Sequence, residues 1–451
     1  MKPVFQSADR GVNAVKRFLV CSLFMAASAA DGDFPKPIFS QGFEGELPAD
    51  FTLEQGANVT EQADRILEGT RSLFVDTTAG TNTWNEFLWI APGRLIPGRR
   101  YAISLDYRWM EGKTGRAQIY AMLRSASKES AGAPDVGVGS KSADEFSGGL
   151  TGRIQRVVRI PSFPDYGLLI GLKDQGACSI DRLVIREVPE SFRLPKPDRA
   201  PRPAGPPAHA KWVPWPEISD EFEGEVLDPK KWKPSSTFWK GRPPAYFDPR
   251  NVAVRSGGLE LTIREADYEN DPDLIAARKA NPKFHTWTSA TVEGLADICY
   301  GYFEIKARIA NASCSSAFWF TGDPGTEIDV FEIGGNSPGY ESAMQSAVHV
   351  FPKTWNQMAP QWSRSTQWDA VERLADADHV YGLEWDREAM TFYLDGHPVG
   401  RIPNTNFHFP IKLLFDIETM PGWLGVPQPE DRLPAVYRIE YFRAWHRVDT
   451  K

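Results

Sequence analysis

Cysteine, histidine, surplus positive charge and long apolar runs are all scarce in this chain, and each scarcity removes a class of function. Only four Cys and seven His occur among 451 residues. The His are scattered and no Cys/His group has metal-ligand spacing, so neither a structural zinc module nor a metal-centred reaction is expected. Cys21 falls in a leader-like stretch, which leaves Cys178, Cys299 and Cys314. An odd number permits at most one internal disulfide and leaves at least one free thiol. Cys299 and Cys314 bracket adjacent strands, but the hairpin centre near residues 310–312 does not set them opposite each other, so no bridge is expected. Lys and Arg (51) are outnumbered by Asp and Glu (59), a net charge of −8. That balance excludes nucleic acid as the expected partner and mildly disfavours a densely sulfated polyanion, although local Arg and Lys can override the global field. The apolar run Phe18–Ala27 is too short to span a bilayer, so no stable membrane span is expected.

What the chain does have begins with an address. Lys16 and Arg17 precede that apolar run, and Ser28-Ala29-Ala30 follow it. A charged start, a short apolar core and small residues at the end read as an export signal over residues 1–30 and predict a secreted protein, extracellular or periplasmic. Cys21 would suit a lipidation site, but Val20 before it is bulkier than such sites prefer. Residues 34–189 alternate short apolar runs such as Ser72-Leu73-Phe74-Val75 and Tyr101-Ala102-Ile103-Ser104-Leu105 with Gly-rich turns. Regularly spaced short strands predict an all-β sandwich. Residues 190–211 turn Pro-rich, with Pro201-Arg202-Pro203 and Pro206-Pro207, and read as a semi-rigid linker. Residues 212–448 are strand-dominated again, with one helical insert at Pro272 to Ala280. The expected architecture is therefore all-β: two β-sandwiches joined by a Pro-rich linker.

The most informative stretch is Thr326-Glu327-Ile328-Asp329-Val330-Phe331-Glu332. Three carboxylates sit among β-branched and aromatic residues, which places them on a strand. Strand side chains alternate, so Glu327 and Asp329 share a face while Ile328 and Val330 point the other way. Glu332 has the wrong parity for a regular strand. One extra residue at Val330 or Phe331, a β-bulge, returns it to the acidic face. Two carboxyl groups about 5–5.5 Å apart are what a retaining glycosidase uses. The plainer reading is an edge strand carrying acids against aggregation.

With its approach Ser315-Ser316-Ala317-Phe318-Trp319-Phe320 and exit Ile333-Gly334-Gly335-Asn336, this segment resembles glycoside hydrolase family 16, which carries Glu-x-Asp-x-x-Glu on one strand of a β-jelly roll. The resemblance runs from Trp212 to His446 and includes Asp220-Glu221-Phe222-Glu223-Gly224, Gly301-Tyr302-Phe303-Glu304-Ile305 and Tyr381-Gly382-Leu383-Glu384-Trp385. It implies that Glu327 is the nucleophile, Glu332 the acid/base and Asp329 the group that orients Glu327. Three adjacent acids cannot all ionise freely, so one should stay protonated near neutral pH. Residues 34–189 resemble a carbohydrate-binding-module jelly roll, notably at Phe43-Glu44-Gly45 and Cys178-Ser179-Ile180-Asp181. A ligand-free spacer is the competing reading there, and Trp84, Trp89, Tyr107 and Trp109 are the aromatics that serve either a sugar platform or a core.

Trp239-Lys240-Gly241-Arg242-Pro243-Pro244, Trp287-Thr288-Ser289, Val348-His349-Val350-Phe351 and Asp416-Ile417-Glu418-Thr419 resemble the agarase and porphyranase branch of that family. The branch implies an endo-acting hydrolase of red-algal galactans. Trp239, Trp287 and Trp319 would wall the cleft, Arg242, His349 and Glu418 would hydrogen-bond sugar hydroxyls, and Trp423 would stack at the far end. Core packing is the competing reading for each Trp, a satisfied imidazole for His349 and a salt bridge for Arg242. Laminarin or mixed-linkage glucan is the alternative substrate; transglycosylation and an inactive polysaccharide binder are the alternative activities. No cofactor for catalysis is implied. The resemblance brings a possible structural calcium with no ligands assigned, and a monomer is expected.

Overall fold

Valine, isoleucine and aromatic residues punctuated by Gly, Pro and Asp turns favour strands throughout, and strands are what the chain forms. The computed structural model describes residues 34–448 except 55, 128–132, 145, 147, 196–198, 324, 352–360 and 371. The export-signal reading at residues 1–30 lies outside the described residues.

The first sandwich packs two antiparallel sheets. One orders the strands Asn58–Thr60, Ser72–Asp76, Ala177–Glu187, Arg100–Trp109 and Thr151–Arg159, with Phe39–Gln41 added beside Ala177–Glu187. The other orders Phe51–Leu53, Trp84–Ile90, Tyr166–Lys173, Gln118–Ser125 and Val136–Ser142. Tyr101, Ile103, Leu105 and Tyr107 of the first sheet meet Ile119, Leu123 and Ile170 of the second in one buried core. Tyr107 and Trp109 are core residues, whereas Trp84 is 56% exposed.

The second sandwich has its own core. One sheet orders Trp362–Asp369, Ala343–Val350, Thr326–Ile333, Ser315–Gly322, Lys412–Glu418 and Trp287–Gly294. The other orders Leu259–Glu265, Ala435–Arg447, Gly301–Arg308, His379–Trp385, Ala389–Leu394 and His397–Pro403. The two join where Arg264 and Glu265 pair with Thr288 and Trp287. Between them Phe331 lies 4.4 Å from Tyr381, Phe303 lies 5.1 Å from Phe320, and Phe318 packs edge-on to Phe442. Such aromatic pairs fix how the sheets stack. The helix Pro272–Ala280 starts where Pro272 presets φ and the Asp271 side chain accepts hydrogen bonds from the amides of Asp273 and Leu274. Its Leu274 is buried against Tyr268 and Phe284.

The two sandwiches are docked. The edge strand Trp362–Asp369 presents Asp369 to Lys141, at 2.8 Å, and to Arg156 of the first sandwich. Burial alone would raise the Asp369 carboxyl, but the two cations outweigh it and hold its pKa below the ordinary value. The Gly137 amide donates to the Pro338 carbonyl at 3.1 Å. Backbones approach so closely there that a Cβ on Gly339, itself at φ +75, would stand 2.1 Å from the Gly137 carbonyl oxygen. The Pro-rich segment lies along the second sandwich. Arg202 donates its amide to Asp395, Gly205 donates to a Glu304 carboxyl oxygen, and Arg199 stacks over Trp368.

Candidate active site

The acidic strand Thr326–Ile333 carries the bulge that its parity demands. Asp329 pairs with Trp319 on one side, and the next matched pair is Phe331 with Phe318, which leaves Val330 unmatched. On the other side the register also shifts between Asp329 and Glu332. Ile328, Val330, Phe331 and Ile333 all enter the core. Glu327, Asp329 and Glu332 turn away from it and line one cavity of about 370 Å³.

Neighbouring strands fill out the same face by the same alternation. Asp416 and Glu418 pair with Ala317 and Ser315, and Trp319 stands between Asp329 and Leu414. His349 pairs with Glu327, and Gln345 with Glu332. Trp239, Arg242, Trp319 and Glu418 line the acidic cavity, together with Phe238, Phe351 and Asp416. Arg242 holds Glu418 in a two-point ion pair at 2.9 and 3.2 Å, and Thr419 donates to the Arg242 carbonyl. Trp239 and Trp319 meet edge to face at 6.0 Å. The Trp319 indole donates to Asp416 at 2.6 Å.

Not every expected residue joins this cavity. Trp287 packs partly buried against the hydrophobic core, at the corner where the two sheets join, and lines none of the described cavities. Trp423 and His349 line a neighbouring cavity of about 610 Å³, which shares Glu332 with the first. Asp416 carries no expectation from sequence beyond its motif, yet it shares parity with Glu418 on one strand. Lys173, contributed by the other sandwich, had no local signal at all.

Burial dominates the electrostatics. It pushes Glu332 and Asp329 up to about 7, with the neighbouring acid Asp329 adding to the rise at Glu332. Glu418 also reaches about 7 by burial, against the pull of Arg242. Glu327 and Asp416 rise well above the carboxylate range, each by burial first and then by a neighbouring carboxyl, Asp329 and Glu418 respectively. His349 moves down because burial disfavours its cation more than the facing Glu327 favours it. The acids therefore keep some of their protons at neutral pH as a set, and Glu327 ionises while its neighbour Asp329 stays protonated. Nε2 of His349 lies 3.1 Å from Oδ2 of Asp329 but outside hydrogen-bond geometry, so that buried oxygen has no hydrogen-bond partner among the described residues. Glu327, Asp329 and His349 bring donor atoms within 4.8 Å of one another, close enough to share a cation as well as a proton. A cluster of acids of this kind, two of them within reach of a sugar in a groove, can perform nucleophilic attack and proton transfer.

The family model describing the GH16 domain of β-porphyranases A–D matches residues 212–447. β-Porphyranase E of Zobellia galactanivorans is 30% identical over 252 residues, which cover 51% of this chain and 86% of that protein. A β-glucanase of Rhodothermus marinus is 26% identical over 264 residues, 51% of this chain and 85% of that protein. The crystal structure of porphyranase B from Zobellia galactanivorans aligns at TM-score 0.48 and 23% identity, over 56% of this chain and 100% of that one.

Proposed function

The chain belongs to glycoside hydrolase family 16, through a β-porphyranase A–D type domain at residues 212–447, and on that premise we propose that it is a secreted, retaining endo-hydrolase of a red-algal galactan of the agar or porphyran type. The observation that carries the reading is the bulged strand that turns Glu327, Asp329 and Glu332 into one cavity. The relatives named as porphyranases support the galactan.

In the first step the Glu327 carboxylate attacks the anomeric carbon. The glycosidic C–O bond breaks, and its oxygen takes the proton held by Glu332. In the second step Glu332, now ionised, takes a proton from water; the water oxygen bonds to the anomeric carbon and Glu327 leaves as a carboxylate. A protonated Asp329 serves this cycle by donating a hydrogen bond to Glu327, which stabilises the nucleophile as an anion. Its raised pKa is what that role requires. Trp239 and Trp319 wall the groove. Arg242 remains partly exposed beside Glu418, so its spare donors face a sugar even while the pair holds. Trp423, beyond Glu332, stacks on a more distant sugar.

The similarity to a β-glucanase favours a second reading, a laminarin or mixed-linkage glucan as substrate. Product analysis after separate incubation with agarose, porphyran, carrageenan and laminarin decides between them. Oligosaccharides from agarose or porphyran are expected, and release from laminarin alone selects the glucan. In Glu327→Gln, release should drop by at least ~10³-fold while polysaccharide binding persists. Full activity in that variant removes the mechanism, and binding by the parent chain with no product from any polymer makes it a lectin-like binder.

A further inference from the structure

The larger cavity, about 610 Å³, belongs to both sandwiches. One side is Glu332, Gln345, Ala347 and His349, which continue the acidic face; the other is Trp84, Tyr120 and Lys173 of the first sandwich. The cavity opens from the catalytic one at Glu332, which lines both. Its first-sandwich wall has the composition of a sugar site. Trp84 is 56% exposed although it sits beside a cavity, and Tyr120 props it edge-on at 5.5 Å. Exposure of so large an apolar ring inside a groove leaves it free to stack on a sugar face.

The wall also carries charge. Arg124 is neutralised by Glu86, at 2.8 Å, and Asp135, at 3.2 Å. Lys173 is different. Its ammonium donates to Ser365 across the interface at 2.9 Å and has no ion-pair partner among the described residues. It sits 5.7 Å from the Trp84 ring, so the cation and the platform face one sugar position. Burial lowers the pKa of this amine, although Asp174, Glu332 and Asp329 partly support its charge. An anionic ligand would reverse that cost.

We propose that the first sandwich is a fixed wall of the substrate groove, in which Trp84 stacks on a sugar beyond Glu332 and Lys173 binds a sulfate ester carried by the glycan. This rests on the galactan reading for the sulfate alone. The test uses the full chain, with a sulfated galactan and the same polymer after solvolytic desulfation as probes. Steady-state constants are taken at each variant's own pH optimum. Trp84→Ala, at an exposed position, should raise KM about tenfold on both polymers with little change in kcat. Lys173→Met should raise KM about tenfold on the sulfated polymer and less than about twofold on the other, and Lys173→Arg should restore most of the loss.

Equal effects of Lys173→Met on both polymers, or a moved pH profile with KM unchanged, would mean that Lys173 acts on Glu332 and would overturn the sulfate assignment. An inert Trp84→Ala overturns the wall. Parent chain that degrades a glucan and neither galactan removes the galactan reading and the sulfate with it. Trp84→Ala measured on that glucan then decides the wall by itself.

Discussion

Glu332 concentrates the conflict between folding and chemistry in one side chain. Burial holds its carboxyl near 7, where a group can give up and recover a proton within one cycle. The free enzyme should lose kcat/KM about tenfold per pH unit above 7, because the first step needs this proton; a pH–rate profile measures the limb. It belongs to the coupled acids as a set. Glu332→Gln should abolish the limb along with most of the activity. The same shift has a thermodynamic consequence. A carboxyl whose pKa is higher folded than unfolded contributes stability that is fully present below the unfolded value, near 4.5, and is lost as pH rises through about 7. At pH 8 the parent chain buries a charge that Glu332→Gln does not. That variant should melt higher at pH 8, by on the order of 2 kcal/mol of unfolding free energy, and show no advantage at pH 4. Thermal unfolding at the two pH values checks the sign.

At the scale of single strands, the site was legible wherever chemistry and alternation coincide along one segment. The parity of Glu327, Asp329 and Glu332 demanded a bulge at Val330 or Phe331, and Val330 is the residue left unmatched. Deleting Val330 should leave a regular strand in which Asp329 still pairs with Trp319 and Phe331 with Phe318, so Glu332 keeps the cavity face while the core loses one buried valine. Unfolding free energy should fall by about 2 kcal/mol, read by denaturant unfolding, and activity well above that of Glu332→Gln should remain. Activity as low as that of Glu332→Gln in a folded deletion would mean that the bulge does more than set the parity of the strand. Asp416 was half legible, since it shares parity with Glu418, but nothing in its own strand says which other strand it will face. Trp287 shows the same limit. Its motif suggests the groove, and it sits at the corner where the two sheets join, partly buried against the core. Local pattern specifies a face; which cavity the face meets depends on pairing between distant segments.

The docking of the two sandwiches belongs to the whole molecule and has no signature along the chain. Lys173 and Ser365 are far apart in sequence, as are Arg156 and Asp369, and only tertiary structure brings them together. A Pro-rich segment between two strand-rich regions suggests independent modules on a spacer. Here that segment is hydrogen-bonded along the second sandwich, and the first sandwich faces the groove. Asp369 is the central tie, since Lys141 and Arg156 both converge on it with side chains only 12% and 9% exposed. Asp369→Ala leaves two largely desolvated cations facing each other without a counter-charge, a loss on the order of 3–5 kcal/mol at the interface. Each sandwich keeps its own apolar core, so neither should unfold. The expected result is an undocked pair: a second, lower transition in calorimetry, faster proteolysis within residues 190–211, and a raised KM with kcat largely kept because Glu327 and Glu332 stay on their strand. Asp369→Asn, which keeps hydrogen bonding but not charge, should fall between. If Asp369→Ala instead shows one cooperative transition at the parent temperature and an unchanged KM, backbone packing around Gly137 and Gly339 is sufficient to hold the groove together without the ion pairs.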